Sequence, residues 1–210
     1  MLLLGVGQAV GSLFRHGGSL LLDSPQYWIF PTQTILCAAM LWWFWPSYRF
    51  QRPEKIGLVI SIAVLVLAIW ISPQELFRVA RRYDGFDPTL FENNRAVFAL
   101  ELVLRFARLV IVVPLVEEIF GRGFLLRYVI REDFKNVPLG TFTWQSFGAV
   151  TVCFALAHNF SDWPAALATS ALYNFLICKT RNLASCVLAH AVTNLGLGIY
   201  IMVTKQWGFW

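Results

Sequence analysis

Charged residues are scarce in this chain of 210 residues: they make up 14% of it, whereas hydrophobic residues make up 58%. Soluble domains average about 25% charged and about 45–50% apolar residues. The shortage of charge therefore argues against an ordinary soluble domain and indicates an integral membrane protein. The net charge of +5 does not call for a nucleic-acid partner, because membrane topology alone collects lysines and arginines at span ends.

The chain also lacks several patterns that would indicate other classes of protein. It has no CxxC pair, no HExxH pair, no phosphate-binding glycine loop, no internal repeat and no low-complexity tract. Without paired cysteine spacing there is no disulfide framework, and the pattern says little about the redox compartment. We interpret the four cysteines as buried free thiols in or beside apolar segments: Cys37, Cys153, Cys178 and Cys186.

Long apolar runs fill the rest of the sequence, most of them close to the roughly 17–25 residues that a helix needs to cross a bilayer. Residues 1–22 lack the basic start of a signal peptide, which favours a membrane-embedded or half-spanning first helix. The third run could be one long tilted helix or two pieces hinged at Pro114. We predict an all-α polytopic bundle of six to seven spans, forming one integral-membrane domain over 1–210, with spans at 27–46, 56–72, 97–126, 144–160, 163–178 and 183–203.

The charges between these runs predict an orientation. The loop 73–95 is neutral, with four arginines against four carboxylates. Because basic loops are retained in the cytoplasm, we expect this loop and the aromatic end 207–210 outside, and three basic clusters inside: Arg49, Arg52 and Lys55; Arg127, Arg131 and Lys135; Lys179 and Arg181.

Glu117 and Glu118 end the apolar run 109–116, a place where charge is costly and usually functional. Glu118 precedes Arg122 by four residues, the favourable order for a helical ion pair, so we interpret this pair as structural. Glu117 points about 100° away around the helix and has no cation at helical spacing. A carboxylate in that position suits a general base.

Two of the three histidines also lie inside apolar segments. At about 1.5 Å per residue, Glu117 and His190 lie about 15 and 13 Å from the basic ends of their helices. His158 lies about 16–22 Å beyond Thr143, depending on where its helix enters the membrane. Phe154 precedes His158 by four residues, and Asn194 follows His190 by four. The sequence therefore predicts that groups from three helices meet at one depth.

Three functions are compatible with this set of residues. Water held between Glu117 and His158, facing donors from His190 and Asn194, would hydrolyse an amide bond. Glu117, His158 and His190 could instead hold a catalytic zinc, although no metal-binding spacing supports it. A non-catalytic membrane binder or transporter could use the same residues as a proton path.

Three motifs occur in order on three apolar segments: EExxxR at 117–122, FxxxH at 154–158 and HxxxN at 190–194. In these motifs the chain resembles the CPBP family of intramembrane proteases, which includes the CAAX prenyl proteases. The resemblance covers about 97–203. The segments 133–140 and 188–210 are also similar to a bacterial subgroup of CAAX prenyl protease-related proteins.

The resemblance implies an intramembrane glutamic endopeptidase in a helical bundle around a polar cavity open toward the cytosol. It implies that Glu117 and His158 activate water, that His190 and Asn194 form the oxyanion hole, and that Glu118 and Arg122 support them. No cofactor is then required. The expected partners are the lipid bilayer and a membrane-associated peptide or protein substrate, and the expected location is a bacterial plasma membrane.

Overall fold

The computed structural model describes residues 25–48 and 50–210, and within those residues it is helical, without β-strands. The predicted span within 1–22 lies outside the described residues. Six helical runs coincide with the six predicted apolar runs that follow. They are α1 (Gln26–Trp43), α2 (Ile56–Glu75), a composite long helix (95–128), α6 (Trp144–Leu156), α7 (Trp163–Thr180) and α8 (Leu183–Thr204).

The long helix is one continuous run and is not broken at Pro114. It consists of α3 (Arg95–Ala107), α4 (Val113–Glu118) and α5 (Leu126–Tyr128), joined by π-helical segments at Arg108–Val112 and Ile119–Leu125. Proline cannot donate the backbone hydrogen bond that an α-helix needs at this position. The π-helical turn before Pro114 changes the hydrogen-bond register and lets the helix continue.

Short polar side chains start three of these helices. Asn94 accepts a hydrogen bond from the Val97 amide at the start of α3, and Thr143 accepts one from the Ser146 amide at the start of α6. Asn182 caps α8 through the Ser185 amide. Each cap satisfies a backbone donor that the helix itself leaves unpaired, which fixes where the helix begins.

The centre of the bundle is formed by α2, α7 and α8. Val59, Ala63, Tyr173 and Ala189 are fully buried in its apolar core. Polar contacts also cross the core, since the Thr193 hydroxyl donates to the Ala63 carbonyl oxygen at 3.0 Å. Satisfied hydrogen bonds of this kind hold helices together where the surroundings are apolar.

The two ends of the bundle differ in charge. At one end, which we call the basic end, the Asn182 amide donates to the Arg52 carbonyl and the Ser185 hydroxyl donates to the Glu54 carbonyl. Gly140, with φ +74°, packs against the Ile177 carbonyl at this end. The Lys55 ammonium donates to the Lys179 carbonyl here, and Gly140 also lies beside Arg181. Arg49 lies outside the described residues.

At the opposite end, which we call the neutral end, the loop 73–95 meets the C-terminal aromatic segment. The Gly208 amide donates to the Arg82 carbonyl, and the Arg82 guanidinium forms an ion pair with Asp162. Gly85 packs so closely on the Trp207 carbonyl that a side chain at this position could not fit. The loop and the C-terminal segment therefore share one end, opposite the basic clusters.

Two described helices are long and apolar enough to cross a membrane, namely α2 with 20 residues and α8 with 22. The α6 helix has 13 residues and ends at Leu156, before the predicted boundary at 160. It ends there because the backbone becomes extended at Asn159, two residues after the helical C-cap Ala157. The number of spans stays a prediction.

Candidate active site

Glu118 and Arg122 form a buried ion pair at the centre of the bundle, and neither side chain is exposed. Arg122 Nη1 donates to Glu118 Oε1 at 3.2 Å, and Nε donates to Asn174 Oδ1 at 3.0 Å. Nη2 donates to the Ser170 hydroxyl and carbonyl at 2.9 and 3.1 Å. We call Glu118, Arg122, Ser170 and Asn174 the anchor. All three guanidinium nitrogens of Arg122 are occupied, which fits a structural role.

His190 extends the anchor toward Glu117. Its Nδ1 lies 2.9 Å from Glu118 Oε1, the same oxygen that accepts from Arg122. A carboxylate that already accepts from arginine can only accept again, so we assign the hydrogen of neutral His190 to Nδ1. Its Nε2 then faces Glu117 Oε2 at 3.9 Å. Glu118 therefore fixes both the tautomer and the orientation of the His190 ring.

His158 lies in the turn after α6, and its ring is held by Phe154. The Nδ1 atom lies 2.8 Å from the Phe154 carbonyl oxygen, which can only accept, so Nδ1 carries the hydrogen. The Phe154 ring lies 4.7 Å from the imidazole and the Trp70 ring 5.6 Å from it, centroid to centroid. The Nε2 atom of neutral His158 has no hydrogen-bond partner within residues 25–48 and 50–210, so it can accept a proton.

Asn194 is fixed by a backbone carbonyl of the long helix. Its Nδ2 donates to the Leu109 carbonyl oxygen at 2.9 Å. In the π-helical register, in which Val113 donates to Arg108, the next donor in line for Leu109 is Pro114, which has no N–H. Asn194 supplies that missing hydrogen bond. One of its two amide hydrogens is used in this way, and the other has no acceptor in the described part of the chain.

Four of the side chains described above border one cavity of about 480 Å³, which we call the first cavity: Glu117, His158, His190 and Asn194. Glu117 is much more exposed than its neighbour: 38% of the Glu117 side chain is exposed, against 7% of the His190 side chain. A second cavity of about 380 Å³ lies between α1 and the long helix, and Glu117 and His158 border it as well. Both residues therefore stand at the boundary between the two cavities.

The zinc alternative requires three ligands around one point. Within residues 25–48 and 50–210, no group of three His, Cys, Asp or Glu side chains is arranged to hold a metal ion. Glu117 and His190 are close to each other, but His190 Nδ1 and His158 Nδ1 are already engaged, so only their Nε2 atoms could coordinate. The zinc alternative stays a hypothesis.

Sequence reasoning did not anticipate two parts of this arrangement. It treated Glu118 as the partner of Arg122 alone, whereas Glu118 also binds His190. It also missed that Ser170 joins Asn174 in holding Arg122. Ser170 and Asn174 are four residues apart in an apolar helix, and that spacing is the signal that points to a shared partner.

One comparison with known proteins found a match to this chain. Residues 99–196 match the family model described as type II CAAX prenyl endopeptidase Rce1-like. No curated protein and no solved structure matches the chain. The matched segment runs from α3 into α8. It contains all the site residues described above: Glu117, Glu118, Arg122, His158, His190 and Asn194.

Proposed function

Since residues 99–196 match the Rce1-like family of type II CAAX prenyl endopeptidases, we propose that this chain belongs to that family and is an intramembrane endopeptidase. Its substrate is a membrane-associated peptide or protein, and the nucleophile is a water molecule activated by Glu117 and His158. The bacterial CAAX prenyl protease-related subgroup is part of the proposal. The family match supports the reaction class. The proposed residue roles are supported by the polar atoms of Glu117, His158 and Asn194 that border the first cavity.

In the proposed first step, Glu117 takes a proton from water while the water oxygen bonds to the carbonyl carbon of the scissile amide. Glu117 suits this role because it is half-exposed to the cavity and forms no ion pair with a lysine or arginine of the described residues. Neutral His158 offers Nε2 as a second proton acceptor, because its Nδ1–H donates a hydrogen bond to the Phe154 carbonyl oxygen. Collapse of the tetrahedral intermediate breaks the C–N bond as the proton passes to the leaving amine.

The negative oxygen of the intermediate needs hydrogen-bond donors. Asn194 has one amide hydrogen left after binding Leu109. His190 can donate from Nε2 only as an imidazolium, because Nδ1 is committed to Glu118. Glu118 Oε1 lies 2.9 Å from Nδ1 on one side of the ring, and Glu117 Oε2 lies 3.9 Å from Nε2 on the other. The proposed oxyanion hole therefore consists of the Asn194 amide and the His190 imidazolium.

The same proposal includes a multi-pass location in a bacterial plasma membrane, with six to seven spans. Two sequence-based expectations about its orientation conflict: that the basic end is cytoplasmic, and that the polar cavity opens toward the cytosol. The charge rule places the basic end in the cytoplasm, but the first cavity is lined by Arg82, Asp162 and Gly208 of the neutral end. If the basic end is cytoplasmic, the cavity lies toward the opposite side and cannot open to the cytosol. We propose the orientation given by the charges, with the basic end in the cytoplasm.

Labelling of intact cells with a membrane-impermeant maleimide tests this orientation. In a cysteine-free variant, Lys55→Cys places one exposed thiol at the basic end, and Tyr83→Cys places one at the neutral end. We expect labelling at position 83 in intact cells and at position 55 only after permeabilisation. The reverse pattern would place the neutral end, and the cavity bordering it, on the cytoplasmic side.

The function itself is tested by comparing membrane proteomes of cells that carry the wild-type protein or Glu117→Gln. An endopeptidase predicts that at least one uncleaved membrane protein accumulates in the variant, with a new terminus in the wild type. Glu132→Gln, which changes an exposed carboxylate outside the site, is the matched control. If purified wild-type protein also cleaves no accumulated candidate, a non-catalytic binder or transporter becomes the better description.

A further inference from the structure

The two histidines of the candidate site are held against aromatic rings in the same way. The His158 ring lies 5.6 Å from the Trp70 ring, and the His190 ring lies 5.3 Å from the Tyr173 ring, centroid to centroid. Both aromatic residues border the first cavity. The proposed mechanism uses neither of them.

A buried threonine binds the polar end of each aromatic side chain. The Trp70 indole Nε1 donates to Thr169 Oγ1, and the Tyr173 hydroxyl donates to Thr193 Oγ1, both at 2.9 Å. Both threonines also border the first cavity. A donor inside an apolar bundle loses its hydrogen bond if its ring turns, so each bond fixes the orientation of the ring. We call the two pairs the aromatic clamps: Trp70 with Thr169, and Tyr173 with Thr193.

The polar hydrogens of both aromatic side chains are already committed. The Thr193 hydroxyl donates its hydrogen to the Ala63 carbonyl oxygen at 3.0 Å, so its oxygen can only accept from Tyr173. The hydrogen of the Tyr173 hydroxyl is therefore bound to Thr193. Trp70 has one polar hydrogen in its side chain, and Thr169 accepts it. A role of either ring in the reaction would then pass through the histidine that it contacts.

His158 depends most on such a contact, because it lies in the turn after α6 and not in a helix. Its Nδ1 atom is fixed by one hydrogen bond, to the Phe154 carbonyl oxygen. A single bond at Nδ1 leaves the opposite side of the ring, with Nε2, able to swing about that point. The Trp70 ring limits this movement together with the Phe154 ring. Reaction rates are sensitive to such movement, since a misplacement of about 1 Å costs about 10²-fold.

The clamps also connect the site to α2. The Trp70–Thr169 bond joins α2 to α7, and the Tyr173–Thr193 bond joins α7 to α8. Trp70 lies outside the segment 99–196 that matches the family model. One of the two histidines is therefore held by a helix that the matched segment does not contain.

We propose that Trp70 and Tyr173 are positioning residues of the candidate site. Each is fixed by its threonine, holds its ring against one histidine and so sets the direction of that imidazole's Nε2 atom. Trp70 positions His158, which activates water, and Tyr173 positions His190 of the oxyanion hole. This rests on the proposed function, because both histidines take their roles from it.

The positions of the rings are measured first, independently of cleavage, by NMR of the full chain in detergent with ¹⁵N-labelled histidine. The chain has three histidines, so His16→Gln leaves two ring signals to assign. At alkaline pH we expect the Nδ1–H tautomer at both His158 and His190. Trp70→Leu should give mixed tautomers at His158 alone, because a ring that swings loses its Nδ1 hydrogen bond part of the time. Tyr173→Leu should do so at His190 alone. Unchanged tautomers in both variants would overturn the proposal.

Cleavage kinetics then connect the rings to the reaction. Trp70→Leu should lower kcat by about 10–10²-fold with little change in KM, because the misplaced group acts in the chemical step. Trp70→Phe keeps a ring and should retain more of the rate. In a His158→Ala background, Trp70→Leu should change the rate no further, since the two residues act as one unit. If Tyr173→Phe loses as much activity as Tyr173→Leu while the His190 tautomer is unchanged, the phenol itself reacts and the proposal is wrong.

Matched variants outside the site control for the loss of a ring or a hydroxyl. Trp144→Leu removes an exposed indole at the start of α6, and Thr204→Val removes a hydroxyl that is bonded within α8. Both should leave kcat and the tautomers unchanged. If a leucine variant melts at a lower temperature than the parent protein, Thr169→Val and Thr193→Val decide the result, because they keep both rings and remove only the bonds that fix them. Wild-type tautomers in both valine variants would then overturn the proposal.

The two kinds of measurement separate this proposal from the proposed function. Cleavage by the wild-type protein, with unchanged kcat and tautomers in the clamp variants, supports the endopeptidase and rejects the clamps. Tautomer changes in a protein that cleaves no substrate support the clamps as holders of the two rings and reject the endopeptidase.

Discussion

Glu117 and Glu118 are neighbours in the chain but belong to two different regions of the molecule. Glu118 is completely buried in the anchor, where Arg122 and His190 both donate to one of its oxygens. Glu117 has 38% of its side chain exposed and faces the cavities. The anchor joins the long helix to α7 and, through the contact with His190, to α8. The cavity side leaves proton acceptors without a partner in the described part of the chain.

This difference shows how a polar site can exist inside an apolar bundle. Buried charges are tolerated when they are paired and hydrogen-bonded, as in the anchor. Once the anchor is in place, it also orients His190, and through His190 it limits where Glu117 can act. Stability and chemistry are thus assigned to adjacent residues, and substitutions should separate the two effects.

The largest expected effect is on catalysis. Glu117→Gln should lower the cleavage rate by about 10²–10⁴-fold, the usual contribution of a general base. The melting temperature in detergent should stay close to that of the wild type, because Glu117 has no part in the anchor. Cleavage of a substrate found by the proteomic comparison measures the rate. A variant with wild-type activity would remove Glu117 from the mechanism.

The anchor should respond in the opposite way. Arg122→Gln leaves Glu118 buried without its cation, a change that costs about 3–5 kcal/mol in comparable buried pairs. We expect a lower unfolding midpoint in a urea titration, together with lower activity because His190 loses its fixed orientation. Arg131→Gln, an exposed arginine in the following loop, is the control. Loss of activity at full stability would mean that Arg122 acts directly in catalysis.

Asn194 lies between the two regions, and its two roles can be separated. Asn194→Ala removes a hydrogen bond worth about 1 kcal/mol and a proposed oxyanion donor worth about 10²–10³ in rate. Adding Pro114→Ala returns a backbone N–H near the Leu109 carbonyl. The double variant should therefore recover stability but not activity. Recovery of both would reduce Asn194 to a structural cap.

The smallest effect is expected from metal removal. Glutamate-activated water predicts that purified protein keeps its activity in the presence of a strong zinc chelator and contains no stoichiometric metal. Metal content is measured by mass spectrometry, with a known zinc peptidase as the positive control for chelation. Chelator-sensitive activity that zinc restores would replace the glutamate mechanism with the zinc alternative.

Much of the helical layout could be predicted from the sequence, because apolar run length and helical rise are local properties. The six predicted runs after residue 26 all coincide with helical runs. The Glu118–Arg122 contact followed from the i, i+4 spacing. The end of α6 at Leu156 could not be read in the same way, because it depends on the turn that places His158 against Phe154.

The sequence by itself determined which residues are costly to bury, since an apolar chain with few charges makes each internal Glu, Arg and His conspicuous. The tertiary structure alone decided how those charges are shared. The hydrogen bond from His190 to Glu118 spans 72 residues, and that from Asn194 to Leu109 spans 85. The reason is physical: spacing fixes neighbours along one helix, but only packing decides which donor from another helix reaches a given acceptor.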